Sequence, residues 1–154
     1  MDYRSIGRWA LVIFPSFVFV QSLFFKFSGS EETVIIFDTI GAWMAGLPVL
    51  SAIAEPFAAY GGWAVGLTEL FATIVMLIPA TRIFGATLGL GVISGAIFFH
   101  LFTPLGVVRV VDAAGNTDGG ALFAMACLTW LCCAATVWIE WTLRRAPGGA
   151  PAAA

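Results

Sequence analysis

Charge is what this chain has least of. Its 154 residues include seven Lys and Arg, nine Asp and Glu and a single His, and charged residues make up only 10% of the whole. A soluble domain carries about 25%, so an ordinary cytosolic globule is excluded. A disordered chain is excluded too, because disorder needs low hydrophobicity and abundant charge. The few basic residues are scattered and form no cationic stripe to track a phosphate backbone, which removes nucleic acid as a partner. A lone histidine, His100, cannot build a His-rich metal site or a bis-His haem pair within one chain; no metal is expected. Cys127, Cys132 and Cys133 make no C-x-x-C pair, and the adjacent two could oxidise only through a strained ring. They read as small packing residues. No Gly-rich phosphate loop and no Ser/His/Asp arrangement is present.

What is present is apolar. Hydrophobic residues reach 60%, aromatic residues 14%, and the mean hydropathy is +0.98. A membrane-crossing helix needs about 20 mostly apolar residues, and four stretches qualify: 8–27, 61–79, 82–102 and 119–142. The expected fold is all-α, a polytopic four-helix membrane bundle in a single domain over 1–145. The tail 146–154, APGGAPAAA, has no periodicity and reads as disordered. The apolar run near the N-terminus is long, contains Pro15 and is followed by no A-x-A site, so it reads as a retained signal-anchor helix.

Segment 33–54 is apolar enough to be a fifth span, and charge arbitrates. With four spans, Arg4, Arg8, Arg82, Arg144 and Arg145 share one side, leaving Lys26 and Arg109 on the other. With five spans that asymmetry vanishes. The positive-inside rule therefore favours a multi-pass membrane protein of four spans with both termini cytoplasmic. Gly41, Gly46 and Pro48 are expected to break the segment into pieces too short to cross. The outer segment 31–57 then lies over the outer face as a broken helix, with Trp43 and Trp63 at the interface. Arg82 marks the cytoplasmic turn, a role that topology alone explains. Within the third span, Gly85 and Gly89 lie on one side and Gly91 and Gly95 on another. Small residues at this spacing permit close helix approach in lipid. The third span is therefore expected to be central, flanked on two sides, and its Gly-rich faces also suit a second copy of the chain.

Chemistry concentrates on a few ionisable groups. Glu69 falls near the midplane of the second span, where insertion scales assign an acid a cost of about 2.5–3.5 kcal/mol. It shares a helical face with Gly62, Gly66 and Thr73, so it points into the bundle. There it serves either as a proton-handling or ligand-binding carboxyl or as a neutral hydrogen-bonding tie between helices. His100 lies near the outer end of the third span, on the face of Gly85, Gly89 and Ala96, and divides between a ligand contact and a bond to a loop carbonyl. Helix rise sets Glu69 and His100 roughly 9 Å apart in depth, a gap for a water or a ligand head to bridge. Asp118 opens the fourth span as an N-cap. It also heads a stripe with Met125, Thr129, Cys132 and Thr136, either packing glue or one wall of a polar pocket. Lys26, at the outer end of the first span, is expected to snorkel to the interface or to neutralise an acid of the outer loops.

Several short motifs fall in a telling order. Lys26-Phe27-x-Gly29 closes the first span; Glu69 sits in GLTELFATIVMLIPATR, which runs to Arg82; a Gly/Ala-rich helix ends in His100; and DGGALF opens the last helix. This order, over about residues 8–142, resembles the DoxX and DoxX-like family of small four-helix membrane proteins. The family is named for a relationship to a subunit of a thiosulfate:quinone oxidoreductase, and its members are functionally diverse. The resemblance implies an accessory component of a membrane redox system that holds a quinone or similar apolar ligand, with Glu69 and His100 at the polar end and Thr73, Asp118 and Lys26 as further candidates. A redox or other membrane protein is the implied partner, besides the lipid bilayer. An assembly or scaffold subunit is the alternative. A small permease is less favoured, because the chain has no internal repeat and only one midplane acid.

Overall fold

The computed structural model of the chain describes residues 3–145, except the side chain of Arg4; the expected disordered tail lies outside the described residues. Five helices follow in order: α1 (Tyr3–Ser28), α2 (Glu31–Ala45), α3 (Ser51–Leu77), α4 (Arg82–Phe102) and α5 (Ala121–Arg145). All but α2 are long and apolar enough to cross a membrane. The protein is an all-α, multi-pass membrane bundle. The four long helices close a ring in the order α1, α3, α4, α5, and α2 packs on the outside of α3.

Local chemistry sets the helix ends. Gly29, at φ +62°, takes the left-handed conformation that stops α1, and the Ser30 N–H donates to the Phe25 carbonyl across the stop. The Ser30 side chain then caps α2 by accepting from the Thr33 N–H, with Glu31 and Glu32 placed in the first turn where the helix dipole favours them. Pro15 lies inside α1 and leaves the Leu11 carbonyl without its helical donor. The Thr136 hydroxyl of α5 approaches that carbonyl at 3.5 Å, a long contact from a neighbouring helix of the kind that makes a membrane proline tolerable.

Two expectations about the outer segment need correction. Gly41 does not break the helix; it lies within α2, where the missing side chain lets α3 approach, and a Cβ there would stand 2.7 Å from that of Ala58. The break falls later, between Gly46 and Leu50. Moreover, α3 begins at Ser51, ten residues before the expected start of the second span, so the latter part of segment 31–57 belongs to a spanning helix. Phe37 against Gly61 and Thr33 against Gly62 continue the α2–α3 seam. Removing side chains on both helices let two apolar segments pair where the sequence suggested interruption.

The third span is flanked on two sides, as expected. Helix α4 packs closest on α3 and α5, and its side also meets Phe19 of α1 and Trp43 of α2, while α3 packs on α1, α2 and α4. Gly85 is pressed so closely against the Met76 backbone that any Cβ would collide with it, and Gly89 accommodates the Phe19 ring. Gly91 and Gly95 meet nothing within 4 Å. Only one of the two glycine pairs is a packing face. On α5 the buried face is Ala126, Thr129, Cys133, Thr136 and Glu140, turned slightly from the stripe read from the sequence.

Candidate functional site

The Glu69 site begins with a glycine. Gly66, one turn before Glu69 on α3, allows the Phe27 ring to come within 2.7 Å of where a Cβ would be. That approach brings the last turns of α1 alongside Glu69. Lys26 Nζ stands 2.5 Å from Glu69 Oε2, which also accepts from the Ser22 hydroxyl at 2.7 Å; Lys26 donates to Ser22 Oγ at 3.0 Å. Ser22 and Lys26 are one helical turn apart, so both reach the same carboxylate. Glu69 is buried, and the Lys26 side chain is only 16% exposed. Lys26 therefore neither snorkels to the interface nor neutralises an acid of the outer loops. A carboxylate left alone in an apolar interior is far costlier than one paired with an ammonium and a hydroxyl, and Lys26 is the cation within reach. Oε1 of Glu69 accepts no hydrogen bond from the described residues.

His100 closes α4. Its Nδ1–H donates to the Gly106 carbonyl at 2.6 Å, and because a carbonyl only accepts, the proton sits on Nδ1. Gly106, at φ +71°, makes the turn that returns its carbonyl to the histidine. The loop-carbonyl role foreseen for a lone His is thus the contact His100 makes. Its Nε2 has no partner among the described residues.

A cavity of about 1260 Å³ joins these groups. Lys26, Glu69 and His100 all line it, within walls supplied by Ile36, Phe37, Ile40, Phe57, Phe99 and Leu105. Its lining is an apolar hollow with a short polar edge. Thr73 and Asp118, named with these three from the sequence, do not line it. Thr73 is buried on α3, and its hydroxyl has no partner among the described residues. Asp118 lies two residues ahead of the N-cap position of α5 rather than at it, and its carboxylate accepts from the Gly120, Leu122 and Arg109 backbone N–H groups.

Two further ionic centres lie outside the cavity's polar edge, and the sequence reading assigned neither. Arg109, in the loop between α4 and α5, is buried; it pairs with Glu32 of α2, and its Nε stands 3.6 Å from Asp118 Oδ2. Burial pushes the Asp118 carboxyl up, but the three backbone N–H donors and the Arg109 charge outweigh it, so its pKa lies below the ordinary value. In the exposed part of this loop, the side chain and backbone of Asn116 hold the Asp112 carboxyl low as well. At the opposite end, Glu140 Oε1 faces Arg8 at 2.7 Å and Arg82 at 3.5 Å, and the Arg82 guanidinium lies 4.4 Å from the Trp9 ring. Arg82 is buried. It does more than mark a turn: it also approaches the Met76 carbonyl near the end of α3. Glu140, close before Arg144 and Arg145, was the signal available in the sequence.

No family model, curated protein or solved structure matches this chain.

Proposed function

We propose that this chain is a DoxX-like accessory component of a bacterial inner-membrane redox system, with both termini cytoplasmic, that holds a quinone or a similar apolar ligand in the cavity beside Glu69. The observation that supports this reading is the cavity itself. Largely apolar pockets with a few convergent polar groups are what bind small hydrophobic ligands, and here Lys26, Glu69 and His100 supply the polar edge. The residues suit such a head group in kind. Lys26 has an N–H beyond those directed at Ser22 and Glu69, for a carbonyl oxygen. Glu69 Oε1 and His100 Nε2 are acceptors for a hydroxyl, and Phe37, Phe57 and Phe99 supply aromatic walls. A quinone would bring two-electron, two-proton chemistry; the chain's part is to orient the head and offer proton-exchanging groups at its edge.

The test is the organic extract and absorbance spectrum of the protein purified in mild detergent, beside the same preparation of Lys26→Gln/Glu69→Gln. This double variant removes both charges together and keeps hydrogen-bonding groups in place, so neither partner is left as a lone buried ion. A quinone-like extract from the parent, lost from a variant that melts normally, is the expected result. An extract with no such compound, together with stoichiometric co-purification of a large membrane protein, replaces this reading with the assembly-subunit one.

A further inference from the structure

The far end of the same cavity has a different chemistry. Of the cations whose side chains are described, Arg8, Lys26, Arg82 and Arg109 each face a carboxylate. Arg144 and Arg145 form no ion pair among the described residues, yet both are held in place by neutral groups. Arg144 donates to the Ala80 carbonyl at 2.8 Å and lies 5.9 Å from the Phe84 ring; Arg145 lies 4.2 Å from the Trp141 ring. Both border the cavity where it runs along α4 and α5. Both arginines are exposed, so their guanidinium groups are open to an anion, and the guanidinium fork suits phosphate oxygens.

The floor leading away from these arginines is apolar. It includes Phe84, Leu88, Val137 and Trp141, then Gly91 and Gly95. No heavy atom comes within 4 Å of where a Cβ on either glycine would be. From Phe84 to Gly95 the helix rises roughly 16 Å, close to one leaflet of a hydrocarbon core about 30 Å thick. The hollow thus has the length of one leaflet's acyl chain and a cationic mouth. Basic pockets between membrane helices bind anionic head groups.

We propose that this end of the cavity seats one anionic phospholipid, its phosphate on Arg144 and Arg145 and an acyl chain over Gly91 and Gly95. The site shares the cavity with the ligand reading at Glu69 but uses other residues, and its test leaves Glu69, Lys26 and His100 untouched. Native mass spectrometry and thermal melting of the purified chain are compared after adding phosphatidylglycerol, phosphatidylcholine with the same acyl chains, or inorganic phosphate. Phosphatidylglycerol should be retained one to one and raise Tm by several degrees more than phosphatidylcholine. Arg144→Gln/Arg145→Gln should abolish that preference. Gly91→Leu, whose Cβ would meet no neighbouring atom within 4 Å, should melt as the parent does and abolish retention. Equal retention of the two lipids, or an equal shift with inorganic phosphate alone, overturns the proposal. So does a Gly91→Leu variant that dissociates a dimer while still retaining phosphatidylglycerol, for that assigns the face to a second copy.

Discussion

The two glycine pairs of α4 have the same spacing and opposite surroundings. Gly85 and Gly89 are buried against Met76 of α3 and Phe19 of α1, while Gly91 and Gly95 border a hollow. Small residues four apart permit close helix contact; they do not create it. Contact forms where a neighbour presents something that fits, as α3 does with its backbone at Met76. Where none arrives, the same absence of side chains leaves space. One half of α4 is a seam and the other half is a wall.

The sharpest way to break this contrast is at Gly85. Any Cβ there collides with backbone, which cannot yield as a side-chain tip can. Gly85→Leu should therefore leave no monodisperse protein in size-exclusion chromatography. Next in size is Glu69→Gln, which strands the Lys26 ammonium in the wall. Breaking a buried pair costs on the order of 3 kcal/mol, and Lys26→Met in the same chain should restore most of the lost Tm. Gly89→Leu comes third. Its Cβ would stand 2.9 Å from the buried Phe19 ring, a side chain rather than backbone, so the loss should be about 1–3 kcal/mol, larger than that of Leu88→Ala in the same melting assay. Gly91→Ala should do the reverse, raising stability by up to about 1 kcal/mol through helix propensity alone. Equal melting temperatures for the Gly85, Gly89 and Gly91 variants would abolish the contrast.

The smallest effect belongs to the loop over the cavity's outer end. Asp118 is held below its ordinary pKa, so the folded state favours its ionised form. That contribution is complete above the unfolded value of about 3.9 and disappears as pH falls through the lower, folded one. Amide exchange at Gly120 and Leu122 should accordingly quicken as pH drops below about 4, after correction for intrinsic rates. Asp118→Asn should remove this pH dependence.

The apolar runs made the spans legible, because length and hydropathy are properties of the sequence itself. The inward face of Glu69 was legible for a related reason: Gly62, Gly66 and Thr73 repeat at the helical period. Its partner was not. Whether Lys26 reaches Glu69 depends on how far α1 closes on α3, which is set by Phe27 lying in the space Gly66 leaves. Arg109 counted only as an outer-side charge because nothing local shows that α2 will deliver Glu32 to it. Gly41 misled because a glycine weakens an isolated helix yet favours a packed one, and the sequence does not display the neighbour that decides between them.

The ionic ties also define an order in time. Lys26 and Glu69 are 43 residues apart, Glu32 and Arg109 are 77 apart, and Arg8 and Glu140 are 132 apart. At a synthesis rate of roughly 5–20 residues per second, Arg8 waits on the order of 7–26 s for Glu140 to be made. During that interval α3 has been made and can pack on α1, but the ring is open on its α5 side. Helix α5 is the closing segment of the bundle, and Arg8 stays without its Glu140 partner until that helix is made.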